Sequence, residues 1–203
     1  MSDHDKDEVE GRGPWMQTSS GGQFFPATPR PEDVRLTDIA NGLALDCRYA
    51  GQCRIDRFYS VAEHSALMAA YALDDRPEAA AVVLLHDAAE AYLNDLVHAV
   101  KCVLGAPYAE LEDRVQGVIW ERYGLTQRAE EHRDYVKDLD RRMVPLEKAA
   151  IMRTQRAWAA DRLEPLERVS IRCLPPIAAK KLFVSAYWLV CQQEGWNPEE
   201  VAI

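Results

Sequence analysis

The feature that most constrains this chain is a stretch of apolar text interrupted by a few polar groups of one chemical kind. Residues 59–95 read YSVAEHSALMAAYALDDRPEAAAVVLLHDAAEAYLND. One helix-like run carries a single histidine, His64. The next carries the adjacent pair His86-Asp87, followed by Glu90 and Asp95. Its centre is apolar almost all round, the pattern of a helix buried on most faces. Polar groups in such a place are costly unless they find partners. A divalent cation would offset that cost, because imidazole nitrogens and carboxylate oxygens are its ligands.

The text on either side sorts into helices. Ser60-Val61-Ala62-Glu63 matches a capping box and predicts a helix to about Leu73, broken by Asp74-Asp75. Pro77 suits the first turn of a second helix, running to about Leu93. Thr37 reads as the cap of a short helix through Leu45, and residues 46–58, DCRYAGQCRIDRF, as an irregular loop. Pro107 opens a helix through about Tyr123, stopped by Gly124. A further helix spans about Ala129 to Arg153, kinked or doubled at Pro145. After a loop at 162–176, residues 177–193 form a last helix with a wide apolar face. Near the N-terminus, Trp15–Thr18 and Gln23–Phe25 flank Ser-Ser-Gly-Gly, a small hairpin. Long strands of period two are missing. The expected fold class is all-α: a helical bundle with a small N-terminal β-hairpin. Residues 1–13 read as a disordered acidic tail and 14–203 as a single domain.

Composition excludes several function classes. The 203 residues are 48% hydrophobic and 28% charged, enough for one sizeable core. No apolar run reaches the roughly 18 residues of a membrane span, and the acidic N-terminus has no signal-peptide core. A formal charge of -9 disfavours nucleic-acid binding. It also means that an anionic ligand needs local cations. Five cysteines without a CxxC pair read as reduced thiols in a cytoplasm.

On a helix, Glu90 lies one turn beyond His86 and Asp87, so the three share a face. Lys137, Asp140 and Glu147 fall on one stripe of a later helix. Two imidazoles and two carboxylates leave coordination positions open, which favours a catalytic over a closed structural ion. From spacing alone, a metal site stands level with a satisfied core histidine and capping acids. Other polar residues have plainer readings. Glu63 reads as a helix cap and Glu147 as a structural partner of nearby arginines. Arg54 and Arg57 either contact substrate or brace their loop. His4, His98 and His132 belong to the tail or surface, and Tyr187 and Trp188 to the core or a subunit contact.

The order His64, His86-Asp87, Asp140 on successive helices resembles the HD-domain metal-dependent phosphohydrolase superfamily. CRYAGQCRIDRFYSVAEHS followed by LLHDAAEAYLND resembles the small bacterial and phage members that cleave deoxynucleotide phosphates, over residues 37–153. The resemblance implies that His64, His86, Asp87 and Asp140 bind the metal. By the same likeness, Glu90 and Asp95 orient the attacking water and assist the leaving group. Arg48 and Tyr49 match an Arg-aromatic pair near the substrate. Lys101 and Lys137 match lysines that grip the phosphate chain in phage dATP triphosphohydrolases. The implied reaction is dATP to deoxyadenosine and triphosphate, with a 5'-deoxynucleotidase acting on dNMPs as the alternative. A nucleotide-binding regulatory module with an inactive site is a competitor from another class, and a signalling phosphodiesterase a third. The implied ion is cobalt, zinc, manganese or iron, with magnesium at the phosphates. The implied partners are a deoxynucleotide and further copies of the chain, as a dimer or hexamer, in a bacterial or phage-infected cytoplasm.

Overall fold

In the computed structural model, which describes residues 11–153 and 156–197, the chain is an all-α fold with a small N-terminal hairpin. Strands β1 (Met16–Gln17) and β2 (Gln23–Phe24) pair antiparallel, Met16 opposite Phe24. Their turn is fastened to the helices by a buried carboxylate. Asp38 accepts hydrogen bonds from the Ser19 hydroxyl, the Ser20 amide and the Ser20 hydroxyl at 2.7–2.9 Å. Order also reaches further toward the N-terminus than the expected tail of residues 1–13. Arg12 is buried, ion-paired to Asp33 and set over the Phe25 ring, so two specific partners fix it. Residues 1–10, with His4, lie outside the described residues.

Helix α1 (Leu36–Leu45) starts before Thr37, so that residue is not its cap; the N-cap position is Arg35. Helix α2 (Val61–Asp75) does start on Ser60, whose hydroxyl accepts from the Glu63 amide at 3.1 Å. The reciprocal half of the box is absent. The buried Glu63 carboxylate accepts instead from the Arg172 and Leu174 amides, both at 2.7 Å, and staples a distant loop to α2. Asp74 and Asp75 complete the helix rather than break it.

The second apolar run is not one helix. After a tight turn at Pro77–Ala79 comes α3 (Ala80–Leu85), then a turn at 86–89, then α4 (Glu90–Leu93). Across the turn the backbone bonds reach back three residues: Ala88 to Leu85, Glu90 to Asp87, Ala91 to Ala88. Tightening to this spacing interrupts an α-helix. Next come α5 (His98–Leu104), which the sequence reading lacks, and α6 (Ala106–Arg122). Helices α7 (Thr126–Glu131) and α8 (Arg133–Ile151) divide at His132 rather than at Pro145, which α8 accommodates.

The closing helix α9 (Pro176–Glu194) packs on α1, α2 and α3, burying Phe183, Val184, Tyr187 and Val190. Trp188 is half exposed, as are Ile177 and Leu189, so Tyr187 alone of the aromatic pair joins the core. Helix α1 crosses α4 at backbone contact. A Cβ on Gly42 would stand 2.7 Å from the Ala91 carbonyl oxygen, so only glycine fits there. Among the described residues, no helix is long and apolar enough to cross a membrane.

Candidate functional site

His64, on the first turn of α2, meets His86 and Asp87, on the turn between α3 and α4. These three can hold a metal ion: one ligand atom from each lies within 4.8 Å of the others. The His64 and His86 ring centroids are 5.4 Å apart. Asp140, on α8, stands at the edge of this group, its Oδ1 3.3 Å from His64 Nε2.

Hydrogen bonds fix which ring nitrogen each histidine offers. His64 Nδ1 donates to Glu147 Oε1 at 2.8 Å, because an ionised carboxylate can only accept. His86 Nδ1 donates to the Val83 carbonyl at 2.7 Å. Both Nε2 atoms are therefore turned to one point, buried and without a hydrogen-bond partner. Asp87 Oδ2 reaches the same point, 3.7 Å from His64 Nε2 and 3.2 Å from His86 Nε2. Metal-ligating histidines are oriented in this way, with the second ring nitrogen held by a carboxylate or carbonyl. The residues present fit a divalent ion.

The charges agree. Asp87 is partly buried, which raises its pKa, yet His86, His64 and Arg48 outweigh that and hold it well below the usual range. Asp140 is likewise pulled down to about 2, against partial burial, by the adjacent His64 imidazole and then by Arg48. Burial and Arg48 depress the His64 imidazole, but Glu147 and Asp140 prevail and push it up to about 9. The site holds positive charge strongly, and a proton and a divalent ion compete for the same Nε2 lone pair.

Behind the ligands lies a group that the sequence reading undervalued. Glu147 is fully buried and meets three residues: it is hydrogen-bonded to His64, accepts from the Tyr49 hydroxyl, and is ion-paired to Arg48, whose Nε is 3.2 Å away. It is indeed an arginine's partner, but one that also orients a candidate ligand. Arg48, in turn, spans Glu147, Asp87 (3.4 Å) and Asp140 (3.6 Å). Burial opposes its charge, and the three carboxylates overcome that and raise its pKa. Its guanidinium knits the acids of the site together.

The loop that delivers Arg48 and Tyr49 is tied at its base by the Arg48 amide to the Tyr59 carbonyl (2.9 Å). Tyr49 (φ 60°) and Ala50 (φ 51°) are left-handed, a conformation that costs a non-glycine residue about 1–2 kcal/mol. The Tyr49 amide donates to Asp95 Oδ2 at 3.3 Å, and its ring lies 5.9 Å from that of Trp158. Asp95 thus braces this loop, with its own amide on Asp46 Oδ2 at 2.6 Å. Arg54 also braces, donating to the Ala150 carbonyl at 3.0 Å.

Glu90 is buried beside Asp87, and its Oε2 has no hydrogen-bond partner. Burial, then Asp87 and Asp95, raise its pKa well above the usual carboxyl range. Lys101 Nζ is shared between Glu90 (3.4 Å) and Glu112 (2.7 Å). A cavity of about 230 Å3 opens here, lined by His86, Asp87, Glu90, Lys101, Glu112 and Asp113 among others. Lys137 is not brought to this cavity; it is exposed on α8, one turn before Asp140.

No family model matches the chain. It is 40% identical, over 117 residues, to an uncharacterized protein of Rhodobacter capsulatus. It is 36% identical, over 111 residues, to the uncharacterized protein YfdR of Escherichia coli K12. Each match covers 55% of this chain, and the chain spans only 59% of the length of these curated relatives.

Proposed function

We propose that the chain is a divalent-metal-dependent phosphohydrolase acting on deoxynucleotides. The observation that carries this reading is the convergence of His64 Nε2, His86 Nε2 and Asp87 Oδ2 while both Nδ1 atoms are committed elsewhere. The resemblance of residues 37–153 to HD-domain hydrolases supports the same chemistry. When bound, a divalent ion supplies a Lewis acid for a phosphoryl oxygen and a nucleophile at neutral pH.

His64, His86 and Asp87 hold the ion, with Asp140 beside His64. Burial, Asp87 and Asp95 favour the protonated form of the Glu90 carboxyl, which suits it to pass a proton to a leaving oxygen. Asp95 and Glu147 act at one remove, setting the Tyr49 backbone and hydroxyl and the Arg48 fork.

Two substrates divide this reading. Hydrolysis of dATP to deoxyadenosine and triphosphate calls on Lys101 and Lys137 for a four-charge chain. The cavity beside His86 instead sets one cation, Lys101, against Glu112 and Asp113, and Lys101 is already paired to Glu112. That balance favours the smaller charge of a deoxynucleoside monophosphate over a triphosphate.

The test is incubation with dATP and, separately, dAMP, each with cobalt or manganese and each with chelator, resolving products by chromatography. Metal-dependent phosphate from dAMP supports the 5'-deoxynucleotidase, and triphosphate from dATP supports the other branch. Silence on both defeats the hydrolase reading. Asp87→Ala is expected to abolish turnover with an unchanged circular dichroism spectrum; retained activity would remove the chemistry from this site.

A further inference from the structure

The turn that carries His86 and Asp87 is opened by a side chain from another helix. In a continuous helix the Ala89 amide would donate to the Leu85 carbonyl, four residues back. Here it donates to Gln116 Oε1 at 2.9 Å, and Gln116 Nε2 donates to the Leu85 carbonyl at 2.9 Å. The primary amide of Gln116, on α6, is thus inserted into the backbone ladder in place of the Ala89–Leu85 bond, one of those that would carry a helix through His86 and Asp87; the Leu85 carbonyl also accepts from the Ala88 amide at 3.1 Å. Its orientation is forced, since a carbonyl can only accept and a backbone amide can only donate. Insertion of a side chain into the ladder is a recognised cause of a helix break.

We infer that Gln116 is a positioning residue that wedges α3 from α4 and so sets the His86–Asp87 geometry at the metal site. The inference rests on the metal-binding reading of that site. Three further observations fit it. The backbone at both ends of the opening keeps right-handed helical angles (His86 φ -63°, ψ -33°; Ala89 φ -60°, ψ -29°), so local conformation alone does not demand a break. No glycine or proline stands between Leu85 and Glu90 to make one. Finally, α6 carries Glu112, which holds Lys101, one turn before Gln116, so one helix face serves both walls of the cavity. A wedge of this kind needs an amide with both functions and the reach of glutamine.

The experiment measures binding of Co2+ and Mn2+ by calorimetry, without substrate, in wild type and in Gln116→Leu, which keeps the bulk and loses the amide. The dissociation constant is expected to rise about 10- to 100-fold, the usual consequence of losing a group that orients a ligand. Gln116→Asn, an amide without the reach, is expected to behave like the leucine variant, and it supplies the comparison if that variant does not fold. Gln116→Glu keeps the reach and the acceptor for Ala89, and its constant is expected to fall between leucine and wild type. Wild-type affinity in a folded leucine or asparagine variant, even with a lowered melting temperature, would overturn the inference by reducing Gln116 to a packing role. Protein that binds metal normally but hydrolyses neither nucleotide would instead defeat the phosphohydrolase reading and leave the wedge standing.

Discussion

At the scale of single residues, Glu147 ties three residues of the site together without being a candidate ligand itself. Its carboxylate is fully buried between a guanidinium, an imidazole and a phenol. Removing one member of a buried charged group strands the others, so Glu147→Ala is expected to destabilise the protein by about 3–5 kcal/mol in urea unfolding. The pH dependence has a definite sign. Burial raises the Glu147 pKa, but Arg48, His64 and Tyr49 outweigh it and bring the value below the ordinary 4.5. Its contribution is therefore fully present above about pH 4.5 and is lost as pH falls through the depressed value. Urea midpoints of wild type and Glu147→Gln should converge as acid is added; a constant gap would contradict this role. His64, His86, Asp87 and Glu90 were legible in the sequence because each interrupts apolar text. Glu147 was legible only as an arginine's partner; that it also orients His64 from a fully buried position was not, since a glutamate seven residues from Asp140 on a charged helix carries no sign of burial. Only the fold, which sets that stripe against His64, reveals its burial.

At the scale of elements, the site depends on two close approaches. One is the backbone crossing of α1 and α4 at Gly42 and Ala91. Gly42→Ala would drive a methyl into a carbonyl oxygen that cannot retreat as a flexible side chain can. Overpacking of this kind costs about 1–3 kcal/mol, to be read in urea unfolding. A variant as stable as wild type would show that α1 and α4 can separate freely. The other is the insertion of Gln116. Apolar periodicity placed α2, α6 and α9 within a residue or two, and Ser60 marked one helix start correctly. It could not locate the break at 86–89, because the interrupting group comes from a residue thirty positions later. Helix α5 escaped notice for a related reason: at seven residues, with Val103 largely exposed, it has too little buried face to leave a periodic trace.

At the scale of the whole molecule, ligands from α2 and from the α3–α4 turn tie local binding to global stability. An ion at 100 times its dissociation constant stabilises the folded state by about 2.7 kcal/mol. For a chain of this size that corresponds to a rise of about 5–10 °C in melting temperature. Cobalt or manganese should produce such a rise, chelator should reverse it, and His86→Ala should abolish it. An equal rise in the His86 variant would place the bound ion elsewhere. The fold class itself was the most legible feature, because helix-period text with no alternating strands admits few architectures, and the Gly-Gly turn marked the hairpin at Met16–Phe24. The staple from Glu63 to residues 172–174 was hidden, since a capping glutamate and one that reaches across the fold are spelled alike.

The order of the elements has a consequence for synthesis on the ribosome. Every candidate ligand has been made by residue 140, yet the helix that packs on α1, α2 and α3 is α9, residues 176–194. A nascent chain paused before that point carries its full set of metal-seeking side chains on helices with an uncovered apolar flank. Such a chain is exposed to aggregation and needs shielding until its last wall arrives.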